Sequence, residues 1–355
     1  MTGDPGHPGD ANEPERVSSS LKVDLAVSPA TWGESMFSRR NVLQGAALSP
    51  LFSASARALD YPARTVRVML PVAAGGTSDI LTRLTARVLQ DRMGQTFLIE
   101  NRPGAGGNLA AEVVHRAPPD GYSLLSISKG NVLANLLYDR LEFDFLRDFT
   151  PVAGIATGNL MMLMHPSVPA RTLPEFLAYA KANPTKINYS TPGNGSDPHL
   201  SSELLKMMAG IQMTHVPYRG GALALTDLIA GNVQVMFSNL PVGEYIKTGK
   251  LIALGITSAE RNKEFPEIPP ISQTVPGYEV GIWYAYVARK DTPREIVQAL
   301  NSAMDVALRD PGVIAGIGIA NALPLSLSVG DLEKLFLAEH EKWNKVIKTA
   351  NIKPD

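Results

Sequence analysis

Three stretches carry residue types that could hold an anion. Pro71 to Asp79 (PVAAGGTSD) sets a glycine pair behind an apolar run, then opens a helical pattern with Thr77, Ser78 and Asp79. Glycines let a backbone turn sharply, and a helix start offers unpaired N–H groups and the positive end of its dipole to a negative charge. Ser190–Glu203 (STPGNGSDPHLSSE) and His215–Ala224 (HVPYRGGALA) repeat the arrangement. Three such loops at the carboxyl ends of strands would form the usual ligand crevice of an open α/β sheet. Any one of them alone is also an ordinary strand–helix turn.

The glycines fit no nucleotide signature. No lysine follows Gly75-Gly76 where a phosphate loop needs it, and Leu109 occupies the last glycine place of a GxGxxG reading in Arg102–Ala111. No GxSxG nucleophile elbow exists, and the absence of cysteine excludes disulfides, thiolate metal sites and a thiol nucleophile. His115, His165, His199, His215 and His340 are scattered without metal-ligand spacing, so neither a metal nor a cofactor is expected. His199, in the first turn of a helical stretch, could donate to a ligand or simply pack. Asp79 could receive an amino group or merely favour a helix start through the dipole. The methionine clusters (Met161, Met162, Met164; Met207, Met208) suit a core.

The elements that must position these loops alternate. Strand patterns read at TVRVMLP, TFLIEN, SLLSIS, LMMLMHP, KINYSTP, THVPY, VQVMFSN, LIALGIT and GIWYAYVAR. Helical patterns run over Asp79–Gly94, Asn108–Ala117, Thr172–Asn183, His199–Gly210 and Ala222–Gly231, and through the C-terminal tail. Such alternation predicts parallel or mixed sheets with helices on both faces. Asp197 before Pro198, and Thr292 with Pro293 and Glu295, read as helix caps, and Thr172 as a weaker one. Gly94 and Gly231 read as helix stops.

Composition suits a globular chain with a sizeable core: 355 residues, 45 % hydrophobic and 19 % charged. A formal charge of −1 gives no basic excess to point to nucleic acid. Residues 1–35 are polar and aperiodic and read as a disordered or misannotated extension, with Met36 the expected true start. Residues 36–58 carry Arg39-Arg40, a short apolar run and Ala56-Arg57-Ala58, the layout of an export signal cleaved after Ala58. Ser38, Arg39, Arg40 and Leu43 match a twin-arginine signal, with Val42 where Phe is usual; an ordinary Sec signal is the alternative. Residues 1–58 hold five of the 33 basic and six of the 34 acidic residues, so the mature chain is formally neutral.

The ordered set of motifs is more telling than any one. YPARTVRVMLPVAAGGTSDILTRLTARVLQDRMGQTFLIENRPGAGGNLAAEVVHRAPPDGYSLL resembles the opening of the Bug family, the extracytoplasmic solute receptors of tripartite tricarboxylate transporters. DFTPVAGI, KINYSTPGNGSDPHLSSELL, HVPYRGGALALTDLIAGNVQVMF, GKLIALGITSAERNKEFPEIPPISQTVPGYE and TPREIVQALN follow in the family's order, so the resemblance covers Leu59–Asp355. It implies an α/β, two-lobed periplasmic binding protein class II fold (a Venus flytrap), with residues 59–160 plus 282–355 as lobe 1 and 161–281 as lobe 2. It further implies a monomeric, non-catalytic periplasmic receptor that captures a small organic carboxylate for membrane transporter subunits. Ala74, Gly75, Gly76, Thr77 and Asp79 are then expected to contact the ligand from one lobe. Gly193, Gly195, Ser196, His199 and Tyr218 would do so from the other. Lys129 stands where the family usually has a small hydroxyl residue, and Ser238-Asn239 replaces a common acidic one. A cation gained and an anion lost would favour a dicarboxylate; alternatively Lys129 points to solvent. A receptor for a membrane sensor kinase, and a hydrolase using Ser196 and His199, are the alternatives.

Overall fold

The computed structural model describes residues 60–261, 265–350 and 352, so the expected N-terminal extension, export signal and cleavage point lie outside the described residues. The chain opens with β1 (Val66–Leu70), α1 (Thr77–Met93), β2 (Phe97–Asn101), α2 (Asn108–His115) and β3 (Ser123–Ser128). Short helices α3 (Lys129–Val132), α4 (Ala134–Leu137) and α5 (Phe145–Asp148) lead to β4 (Phe149–Asn159). A second series follows: β5 (Met161–Met164), α6 (Leu173–Ala182), β6 (Asn188–Thr191), α7 (Asp197–Ala209), β7 (Thr214–Pro217), α8 (Gly221–Ala230), β8 (Val235–Ser238), α9 (Gly243–Lys247) and β9 (Ile252–Ile256). The chain then returns through β10 (Gly281–Arg289), α10 (Arg294–Ala307), α11 (Pro311–Ile319), β11 (Ala322–Pro324) and α12 (Val329–Ala350).

Two mixed sheets result, one per lobe. The first has six strands in the order β11-β4-β10-β3-β1-β2, the second five in the order β7-β6-β8-β5-β9. β1 is parallel to both neighbours, and Val66, Val68, Met69 and Leu70 are all buried, as a strand covered on both faces requires. α10 buries Ile296, Val297, Leu300, Met304 and Ala307, one face of a 3.6-residue period, against the first sheet. The chain passes between sheets at Leu160 and again at Val280. Thr257 ties the two passages together: its N–H donates to the Leu160 carbonyl (2.9 Å), its Oγ1 accepts from Leu160 N (2.9 Å), and its carbonyl accepts from Val280 N (2.9 Å).

All nine expected strands are present. β4, the longest, is an addition that Pro151, Gly154 and Gly158 hid as loop-like residues. Proline is tolerated there because Pro151 sits at a register shift against β10, where the ladder is already interrupted. α11 and β11 are also additions. Two caps differ from expectation. Ser196, not Asp197, is the N-cap of α7, because Asp197 is already helical and its carboxylate pairs with Lys129 at 3.4 Å. Thr292 does not cap α10; Pro293 does, while the Thr292 hydroxyl donates to the Arg289 carbonyl at 2.7 Å. Thr172 caps α6, and Gly94 and Gly231 end α1 and α8 in the left-handed conformation.

Asn301 joins the C-terminal helices to this frame. Its buried Nδ2 donates to the carbonyls of Val152 (2.8 Å) and Leu327 (3.1 Å). Asn301→Ala strands both acceptors, and urea titration should show a loss of about 1–3 kcal/mol with the slope unchanged.

Candidate functional site

The carboxyl ends of β1, β3, β6, β7 and β8 and the loops beyond them face a cleft with two chambers that share Val72, Ser78, Ser128, Pro192 and Ser196. The outer chamber holds about 380 Å³ and the inner about 70 Å³. The loops of the two sheets meet backbone to backbone: Ala73 N donates to Arg219 O at 2.8 Å. Gly130 packs so closely against the Gly195 carbonyl oxygen that no Cβ could fit between them.

α1 and α7 both start here, with Gly76 and Ser196 as N-caps, and neither start is capped by a side chain. No side chain takes up the N–H groups of their first turns, of which α7 has one fewer because Pro198 carries none, and the loops are held from behind by the same device. Gly75 (φ +88°) donates its N–H to Asp79 Oδ2 at 3.0 Å, four residues on. Gly195 (φ +73°) donates to His199 Nδ1 at 3.0 Å, again four residues on. Both glycines adopt a left-handed conformation that side chains rarely tolerate. Asp79 also accepts from Arg83 and Asn101 at 3.0 Å each. Burial works to raise its carboxyl, but the bonds from Arg83, Gly75 and Asn101 outweigh it and hold the group below the usual range. His199 stacks on His215 at 4.2 Å, which in turn stacks on Tyr189 at 4.9 Å.

The inner chamber is rich in groups able to donate to oxygen: Thr77, Ser78, Ser128, Asn239 and Tyr284. Burial, reinforced by the Asp197 charge, pushes the Tyr284 phenol far above its ordinary range, so it remains a donor. Tyr284 sits directly opposite Ser128 in the β10–β3 register. The outer chamber is walled by Gly104–Gly107, Asn131, Tyr138, Gly193, Gly195 and Tyr218, and its one charged lining residue is Arg219, which is exposed. The Tyr138 hydroxyl is buried beside Gly106 with no hydrogen-bond partner among the described residues. Tyr218 is anchored by donating to Asp227 at 2.5 Å; burial and that bond raise its phenol to about 12.

Of the twelve residues expected at the site, Gly76, Thr77, Gly193, Gly195, Ser196, Tyr218 and Asn239 line the chambers. Asp79, His199 and Lys129 are buried behind them, while Ala74 and Gly75 are exposed in the loop and line neither chamber. Lys129 is neither a cleft cation nor a solvent-facing one. It is 1 % exposed, and its Nζ donates to Gly281 O at 2.6 Å beside Asp197 and Glu339. Ser78, expected in the first loop for its hydroxyl, lines both chambers, whereas Ser128, Asn131, Tyr138, Tyr284, Arg219 and the Gly104–Gly107 wall went unforeseen. The glycine run was visible as such; Ser128 and Tyr284 carry no local signal, since distant strands bring them together.

Ser196 and His199 do not make a nucleophile–base pair. The Ser196 hydroxyl donates to Gly193 O at 2.7 Å, and His199 Nδ1 accepts from Gly195. Among the described residues no group of three or more carboxylate, imidazole or thiol side chains could hold a metal ion, and no helix is long and apolar enough to cross a membrane.

Residues 81–352 match the tripartite tricarboxylate transporter family receptor. The UPF0065 protein of the tcbD-tcbE intergenic region of Pseudomonas sp. (strain P51) is 34 % identical over 87 % of this chain and 94 % of its own length. R. palustris Rpa4515, solved with adipate, superposes with a TM-score of 0.79 at 36 % identity, covering 83 % of this chain and all of its own. MatC (Rpa3494) from Rhodopseudomonas palustris, solved with bound malate, gives 0.77 at 32 %, covering 81 % of this chain and all of its own.

Asp79 has its folded-state value depressed, so its contribution is complete above the unfolded carboxylate value and disappears as pH falls through the folded one. Asp79→Asn should therefore lose about 1–3 kcal/mol at neutral pH. In urea titrations the gap to wild type should narrow as pH falls through the depressed folded-state value; a gap that persists undiminished in acid would show that the carboxylate charge is not what grips the loop.

Proposed function

The chain belongs to the tripartite tricarboxylate transporter receptor family, and from that premise we propose that it captures a small organic dicarboxylate in the cleft and presents it, unchanged, to transporter subunits in the membrane. The observation that carries this reading is the pair of uncapped helix starts opening beside one chamber lined by hydroxyl and amide donors. A carboxylate is the ligand such a floor stabilises. The second carboxylate is supported by Arg219, the one charged residue lining the outer chamber, and by the adipate and malate of the two solved relatives.

In this reading Gly76, Thr77, Asn239, Gly193, Gly195, Ser196 and Tyr218 meet the ligand, while Ala74, Gly75, Asp79 and His199 shape their loops. Division into lobes at 59–160 plus 282–355 and at 161–281 is supported by the strand membership of the two sheets. Both chambers are walled by one chain, which suits a monomer. An extracytoplasmic location is the family's; the twin-arginine signal and cleavage after Ala58 rest on the residue pattern alone.

Thermal unfolding of the purified protein with mono-, di- and tricarboxylates and amino acids tests the reading. A ligand at about 100 times its dissociation constant adds about 2.7 kcal/mol, and dicarboxylates should give the largest shift and be recovered intact. No shift with any carboxylate would sink it. Gly130→Ala, which forces the loops apart at Gly195, should weaken the best ligand by about tenfold or more without a comparable loss of stability.

A further inference from the structure

Lys129 and Asp197 form a buried ion pair beside the inner chamber, and ligand capture as described gives that pair no task. Lys129 opens α3 at the end of the first sheet; Asp197 opens α7 on the second. They are 1 % and 4 % exposed, with Nζ 3.4 Å from Asp197 Oδ1. The ammonium is fully engaged. It donates to Gly281 O at 2.6 Å, lies 3.7 Å from Glu339 Oε2, and sits 4.8 Å from the centre of the Trp343 ring. Trp343 Nε1 in turn donates to Glu339 Oε2 at 3.1 Å.

The order of these groups matters. Asp197 is among the residues that line the inner chamber and Lys129 is not, so a ligand there lies nearer the residue that bears the carboxylate than the one that bears the ammonium. An anion approaching the α7 start would face an uncompensated buried carboxylate in the very turn whose N–H groups attract it, and in a site of low dielectric that repulsion is large. Resting on the carboxylate-receptor reading, we propose that Lys129 is a positioning residue that makes the inner chamber admit an anion by cancelling Asp197 from behind, across the seam between the sheets. It touches no ligand.

Three titratable groups face Asp197 from other elements, Lys129 on α3, Glu339 on α12 and the neutral Tyr284 on β10, and the Ser128 hydroxyl hydrogen-bonds to it. Burial raises the Asp197 carboxyl and the Glu339 charge adds a little to this, with Lys129 and the Ser128 hydroxyl opposing them; the result is a value above the usual range. With Lys129 removed, Asp197 has to take up a proton for an anion to enter, and affinity becomes pH-dependent.

Calorimetric titration with malate and adipate as probes tests this in wild type, Lys129→Met, Asp197→Asn and the double variant. Lys129→Met should bind about thirtyfold more weakly near pH 8 and regain several-fold near pH 6. Asp197→Asn, which leaves the Lys129 charge uncancelled beside the chamber, should bind at least as tightly as wild type, and the double variant should return to within about fivefold with the pH response abolished. Folded Lys129→Met with wild-type affinity, or a folded double variant as weak as the single, overturns the proposal. If Lys129→Met does not fold, the double variant decides: folded and binding supports the charge role, folded and silent overturns it, and unfolded makes Lys129 a packing residue and overturns it too. Wild type that binds neither probe overturns the receptor reading and this proposal together; wild-type binding with unchanged variants overturns this proposal alone.

Discussion

A helix start can offer its N–H groups to a guest only if its own side chains leave them alone. α1 and α7 both obey this constraint at the cleft, at the expense of the stability a side-chain cap would give, typically about 1 kcal/mol each. An uncapped loop must then be fixed by other means, and the chain uses one solution twice. A side chain one turn into each helix, Asp79 or His199, reaches back to the N–H of a left-handed glycine, Gly75 or Gly195. The hooks differ in chemistry but share a spacing, and each is itself braced, Asp79 by Arg83 and Asn101, His199 by the ring stack on His215 and Tyr189.

The cleft is therefore a surface of backbone and hydroxyl donors whose charged groups are kept in the second rank. Asp79 and Lys129 are buried behind the loops, and Tyr284 contributes as a neutral donor. Where a charge does reach the wall, it is at either end: Asp197 in the inner chamber, countered by Lys129, and Arg219 in the outer. Fixed dipoles, already oriented before a ligand arrives, need little reorganisation to receive a carboxylate.

Much of this was legible in the residues. Nine strands and the main helices announced themselves by period and by glycine stops, because most are buried on a face that local spacing encodes; β7, with no buried residue, is read from its β-branched residues alone. β4 did not, since Pro151 and its glycines are excused only by a register shift against β10, which no local pattern contains. The loops of the cleft were visible as glycine-rich helix starts. Asp79 and His199 were also visible, but as ligand contacts: proximity to a site in sequence cannot say whether a side chain faces the guest or the loop. Lys129 was misjudged for a related reason. Its partners Asp197, Gly281 and Glu339 come from three distant segments, and only the fold brings them within reach. The opposition of Tyr284 to Ser128 is likewise a product of strand register alone.

The position of β10 has a consequence for the order in which the molecule can be completed. It lies inside the six-stranded sheet, with β3 on one side and β4 on the other, yet it is made only after the whole five-stranded unit has been inserted. Until residues 281–289 emerge, β3 waits with one unpaired edge and β4 with two, since β11 comes later still; each is a row of open N–H and C=O groups that invites the wrong partner. Such pairing across a long insertion is slow, because the loop between the strands must be closed before it is rewarded. The second lobe can assemble as it is synthesised, whereas the first stays ajar until nearly the last of the chain is available. A nascent receptor of this topology depends on whatever shields those edges in the interval.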